Sequence, residues 1–184
     1  MASKLKTDIL ETVSGSGTIA LTNQLSGMTD ASMPSGSVVQ KVNTQTGVHA
    51  TSTVTMPFDN TIPQITEGTE FLSVAITPKS SSNILFIEVV MACNTAQASG
   101  NGFTHALFVG TTANALASMG TVTLSEYLAP MAFNHRVVAG TTNALTFRVR
   151  SGGGASGTTQ FNGFGGARFG GTFASSITIT EIKG

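Results

Sequence analysis

The sequence predicts an all-β protein, a jelly-roll-like β-sandwich of about eight antiparallel strands with an extended amino-terminal arm. Three observations carry this reading. Short segments rich in Val, Ile, Thr and Phe recur from Val38 onward, separated by clusters of Gly, Pro, Ser and Asn. No helical pattern of about 10–15 residues lies between them, which argues against a βαβ arrangement. The most apolar stretch, Phe71–Cys93 (FLSVAITPKSSSNILFIEVVMAC), reads as two strands joined by a short turn.

In the first strand of that stretch Leu72, Val74 and Ile76 point one way and Phe71, Ser73 and Ala75 the other. Pro78 ends the ladder, and the Ser/Asn cluster of the turn supplies local hydrogen bonds. The second strand is apolar on both faces. Leu85, Ile87, Val89, Met91 and Cys93 form one row and Ile84, Phe86 and Val90 the other, so cover is expected on both sides, from a second sheet or from another subunit.

The remaining elements follow in order. Residues 1–37 hold short apolar pieces (Ile9–Leu10, Ile19–Leu21, Leu25) split by Gly and Pro, too short to close a core and expected to form an arm that docks elsewhere. Strands are expected at Val38–Asn43 and within Gly47–Met56, followed by a loop at Pro57–Glu70. Beyond the central pair comes Gly102–Gly110, where Phe103, His105, Leu107 and Val109 share a face. Thr111–Gly120 reads as a helical turn or a loop, and Thr121–Gly140 as one or two strands interrupted at Pro130. In Ala144–Arg150, Leu145, Phe147 and Val149 turn inward and Thr146, Arg148 and Arg150 outward. A glycine-rich stretch spans Ser151–Gly171, and Ser175–Lys183 is the closing strand, giving domain limits of 1–37 for the arm and 38–184 for the sandwich.

Composition narrows the function classes. Charged residues make up 10% and hydrophobic residues 40% of the 184, which argues against charge-driven disorder and leaves a surface better suited to an assembly than to a lone monomer. Residues 57–90 are acid-rich, with Asp59, Glu67, Glu70 and Glu88 against Lys79. Residues 136–184 are base-rich, with Arg136, Arg148, Arg150, Arg168 and Lys183 against Glu181. The basic residues are scattered, so no nucleic-acid stripe is expected. The amino terminus shows no signal peptide, and no apolar run reaches the ~20 residues of a membrane helix. A soluble chain made in the cytoplasm, without membrane insertion, is expected.

The residues that usually carry chemistry are sparse. Cys93 sits in an apolar strand and reads as a packed thiol. His49, His105 and His135 lack metal-ligand spacing, and His105 on its apolar face reads as a core or interface histidine. Asp59 and Glu67–Glu70 lack the Asp-x-Asp-x-Asp-Gly calcium pattern. No Gly-x-Ser-x-Gly elbow occurs, and nothing ties Glu88 to Glu126 as a glycosidase pair. No enzyme, metal or cofactor is expected. The one segment with recognition character is Ser151–Gly171. There Phe161, Phe164, Arg168 and Phe169, among glycines and the amides of Gln160 and Asn162, suit contact with a receptor or glycan. The alternative is that these phenylalanines pack under the sandwich or at a threefold axis.

Four stretches resemble small tailed-bacteriophage virion proteins of the tail-fibre, head-fibre or decoration type: KLKTDILETVSGSGTIALTNQLSGMT as their arm, FLSVAITPKSSSNILFIEVV as their central hairpin, HALFVGTTANALA as the following strand and loop, and SSITITEI as their closing strand. The resemblance implies a homotrimeric β-sandwich head whose arm, residues 1–37, binds other virion proteins, and a location in the virion. It carries over no catalytic residue. A stand-alone carbohydrate-binding, lectin-like module is the competing expectation; it predicts a stable monomer or dimer.

Overall fold

The computed structural model describes residues 33–95, 102–122 and 127–184. The expected arm lies outside the described residues as far as residue 32, as does Glu126. Ten strands are present among the described residues: β1 (Val38–Thr46), β2 (Ala50–Ser52), β3 (Thr69–Ile76), β4 (Ile84–Thr95), β5 (Gly102–Val109), β6 (Ala117–Val122), β7 (Ala129–Val138), β8 (Leu145–Gly153), β9 (Thr159–Phe161) and β10 (Ser175–Ile182).

They fill eight rows of two antiparallel sheets. In the first sheet β1 pairs with β10 and β2 with β9. Both β10 and β9 pair with one side of β4, and β7 pairs with its other side. β1 and β2 therefore share one interrupted edge row, and β9 and β10 the next. The second sheet runs β3-β8-β5-β6. Numbered along the chain, the rows run 1-8-3-6 in one sheet and 2-7-4-5 in the other, which is the jelly roll expected from the sequence.

The core lies between the sheets. Leu72, Val74 and Ile76 of β3 and Phe147 and Val149 of β8 face Leu85, Ile87, Val89 and Met91 of β4 and Ile177 and Ile179 of β10. Each such side chain contributes about 1.5–3 kcal/mol by leaving water. The inward rows match the alternation in the sequence.

The partnership of the central stretch differs from expectation. β3 and β4 are not a hairpin: β3 pairs with β8, β4 pairs with β10 and β7, and the turn between them crosses from one sheet to the other. Their two apolar rows then face each other across the core instead of lying side by side. The crossing turn is tied down by Glu181, a buried acid on the inward row of β10. Its carboxylate accepts hydrogen bonds from the Lys79 amide (2.8 Å), the Ser80 amide (3.4 Å), Asn83 Nδ2 (2.7 Å) and Gln40 Nε2. Burial alone would raise the carboxyl pKa, but these donors outweigh it and hold it below the ordinary range.

Within one chain, double-sided burial falls on β5, and the outer row of β4 is left partly open. Phe103, His105 and Leu107 face the core, while Thr104, Ala106 and Phe108 lie beneath a strap formed by residues 53–68. Met56 fills the space over Ala106 and Phe108, with Ile65 and Ala115 at its margin. The strap is fixed by Met56 N to Gly153 O (3.0 Å), Ile65 N to Ala113 O (2.8 Å) and Ala115 N to Pro63 O (2.9 Å). Phe58 lays its ring where a Cβ on Gly102 would sit, so only glycine leaves room for it.

Two smaller expectations also change. Ala117–Gly120 belong to β6 instead of a helical turn or a loop. Pro130 does not interrupt β7: it pairs opposite Ala92, and among the described residues the other side of β7 has no strand partner, so the missing N–H breaks no ladder.

Candidate functional site

The glycine-rich stretch separates into three parts. Ser151–Gly153 end β8 and Thr159–Phe161 form β9. Residues 162–174 are an excursion between β9 and β10, set against the break between β1 and β2. Asn162 launches it. This residue is fully buried with φ +56°, a left-handed backbone that asparagine tolerates better than most. Its Nδ2 donates to Thr46 O (2.8 Å) and Val48 O (3.0 Å), and its Oδ1 accepts from Ser175 Oγ (2.7 Å). Ser175 Oγ in turn accepts from the Ala92 amide (2.9 Å). Gln160 Oε1 accepts from the Gly165 amide (2.7 Å) and lies 3.3 Å from His49 Nε2. The two amides expected to meet sugar hydroxyls are therefore buried and hold the excursion in place.

Gly163 approaches the carbonyl of Gly166 so closely that any Cβ would overlap it. Further out, the Gly171 amide donates to Arg168 O (2.9 Å), and Thr172 caps Phe169 O through its hydroxyl (2.8 Å). The excursion is thus a braced structure.

Of the four residues expected to form a receptor contact, the structure leaves three at the surface. Phe161 is only 1% exposed; it lies in β9 and stacks on Phe71 with ring centroids 4.1 Å apart. Its place in the glycine-rich stretch concealed a strand position facing the core, so its expected surface role is corrected. Phe164 is half-buried, and the Arg168 guanidinium lies 5.6 Å from its ring centroid. Phe169 is 73% exposed, with φ +51° and its ring edge-on to Phe173 at 6.1 Å. Val48, in the opposing turn, is also exposed. Arg168 has no ion-pair partner among the described residues, and the excursion contains no acid.

A second surface is the outer face of the first sheet. The register places Ile84 opposite Val138, Phe86 opposite Arg136, Glu88 opposite Asn134 and Val90 opposite Ala132. Val90 is 42% and Val138 58% exposed, and Ile84 and Phe86 are half-buried. Beside this band an apolar cleft of about 200 Å3 opens between β7 and the second sheet, lined by Val109, Leu116, Val137, Val138, Leu145 and Phe147. Glu88 is exposed on this face and has no ion-pair partner among the described residues.

Several other titratable residues make contacts within the sandwich. His105 is fully buried, its Nδ1 2.6 Å from Ser151 Oγ and its ring edge-on to Phe103 at 4.6 Å. Burial lowers its pKa to about 3. Burial pushes the Cys93 thiol well up, as a packed cysteine requires. Glu70 pairs with Arg148 (3.0 Å), Glu67 accepts the Gln64 amide (2.8 Å), and Asp59 binds Thr61. No group of three His, Cys, Asp or Glu among the described residues is placed to hold a metal. Among them, too, no helix is long and apolar enough to cross a membrane.

No family model matches the chain, and no curated protein matches it. Solved structures that are similar in part include the following three. Eiger TNF from S. frugiperda has a TM-score of 0.43 at 9% identity, over 77% of this chain and 92% of that one. The infectious bursal disease virus VP2 subviral particle has 0.42 at 12%, over 80% of this chain and 34% of that one. Dimeric latent PorU from Porphyromonas gingivalis has 0.37 at 9%, over 82% of this chain and 14% of that one. The chain thus spans about a third of the VP2 chain and a seventh of the PorU chain. These likenesses assign neither a family nor a function to it; the jelly roll itself is read from the strand pairing.

Proposed function

We propose that the chain is a non-enzymatic structural protein of a bacteriophage virion: a homotrimeric fibre, spike or capsid-decoration component, attached through residues 1–37, with host-surface contact as a second role. The observation that carries this reading is the outer face of the first sheet. Its central strand offers Ile84, Phe86 and Val90 to solvent, flanked by Val138, on a chain with only 10% charged residues. A face of that kind belongs against another subunit. The trimeric state and the phage setting come from the sequence resemblance.

Attachment is tested by deletion. The described sandwich begins at Pro34–Ser37, where Gly36 N donates to Lys183 O (2.9 Å) and Lys183 N to Ser37 O (2.8 Å). Removing residues 1–32 should leave melting within a few degrees of the full chain and abolish co-purification with particles. Retained incorporation would move the attachment site onto the sandwich. The lectin-like alternative draws on the exposed ring of Phe169 and expects a folded monomer or dimer.

A further inference from the structure

We infer that the excursion of residues 162–174 is a binding platform for a carboxylate-bearing pyranose, with the Phe169 ring as the stacking surface and Arg168 as the carboxylate partner. The inference deepens the host-contact role proposed above and rests on it. Phe169 is the starting point. It is the most exposed large apolar residue among those described, and it carries φ +51°. A bulky side chain rarely adopts that backbone, and glycine would adopt it freely. Stability alone gives no reason to place phenylalanine there, because the ring gains little burial from its position. Strain retained at an exposed residue is a mark of function.

The ring is held for presentation. Phe173 supports it edge-on at 6.1 Å, and the Thr172 hydroxyl and amide both bind the Phe169 carbonyl (2.8 and 3.3 Å). The C–H face of a pyranose is apolar and flat enough to pack on such a ring, while its hydroxyls stay in water. The charge chooses among sugars. Arg168 precedes the ring in sequence, its guanidinium rests over Phe164, and it has no ion-pair partner among the described residues. A guanidinium free of protein carboxylates suits a ligand carboxylate bidentately. One shallow platform binds weakly, and several copies on one assembly would raise retention on a polymer through effective concentration.

The test uses the full-length protein on immobilised polygalacturonate, a pyranose polymer with one carboxylate per ring, against neutral dextran. The wild type should be retained by polygalacturonate and not by dextran. Phe169→Gly and Arg168→Ala should each weaken retention at least tenfold. Phe169→Gly should melt at or above the wild-type temperature, since it relieves the backbone, so loss of binding cannot be loss of folding. The inference is overturned by absence of retention on polygalacturonate, by equal retention on dextran, or by retention that depends on Arg168 and not on Phe169, which would mark simple charge attraction. Light scattering and particle incorporation on the same preparation report the structural role separately. An intact assembly that incorporates and ignores the polymer sinks the platform alone.

Discussion

Replacing Phe161 with alanine is expected to destabilise the protein by about 3–5 kcal/mol, the range for truncating a fully packed phenylalanine. For a sandwich of this size that corresponds to a fall in melting temperature of roughly 6–20 °C. The ring is buried in β9, between β2 and β4, and loses its stacked partner Phe71 when removed. The cavity would open at a junction of strands that cannot easily collapse, because β9 is only three residues long and pairs on both sides. Phe164→Ala, at the half-buried Arg168 contact, should shift melting by no more than a degree or two. Thermal melts of the two variants side by side decide the matter. Equal, small shifts would mean that Phe161 is not part of the core.

Acid is expected to destabilise the protein through His105, beginning well above the carboxylate range. Its pKa is about 3 in the folded chain against an ordinary 6.5. Between those values the unfolded chain binds the proton and the folded chain does not, so stability rises with pH over this window. The contribution is fully present above pH 6.5 and is lost progressively as pH falls towards 3. At about 1.4 kcal/mol per pH unit the whole loss approaches roughly 5 kcal/mol. Glu181, whose folded pKa is also depressed, adds a loss of the same sign that starts only in the carboxylate range. Denaturant melts at pH 7.5, 6, 5 and 4 should show a steady decline, and His105→Asn should flatten its upper part while lowering stability at pH 7.5. A wild-type profile that is flat from pH 7 to 5 would contradict the buried neutral imidazole.

Much of the fold was legible because a strand buried on one face writes period-two alternation into its sequence. Leu72–Val74–Ile76 and Leu145–Phe147–Val149 turn inward as that alternation dictates. Alternation does not say which strands pair. FLSVAIT and ILFIEVV look like a hairpin because they are neighbours, yet the turn between them crosses the sandwich. Glu181, the anchor of that turn, did carry a signal: it continues the inward row Ser175, Ile177, Ile179. An acid on an inward row must find donors, and it finds the backbone of the crossing turn.

The apolar outer row of β4 calls for cover from a second sheet or another subunit, and the chain itself does not supply it; the strand it covers on both faces is β5. GFTHALF hides this with Gly102, Thr104 and Ala106 on the strap side and a histidine on the core side, since a strap crossing closely overhead favours small residues beneath it. In the candidate site, glycine content showed where the backbone departs from the sheet. It could not show that Phe161 remains inside, because β9 is too short for alternation to register. Asn162 was legible only as an amide. Its left-handed turn and its four hydrogen bonds, made by backbone and side chain, are set mostly by residues far away in sequence.

The proposed trimer requires the outer face of the first sheet to be a subunit interface. An interface of the obligate kind buries upwards of about 2,000 Å2 and survives dilution. Phe86 lies in the middle of the face, between Thr180 of β10 and Arg136 of β7, and a carboxylate introduced there would be desolvated beside Glu88. The most direct measurement is molar mass by light scattering during size-exclusion chromatography at low micromolar concentration, on the wild type and on Phe86→Glu. The expected result is a wild-type mass three times the 18.8 kDa of one chain, and a folded monomer for Phe86→Glu. A wild type that elutes as a folded monomer would contradict a subunit interface on this face.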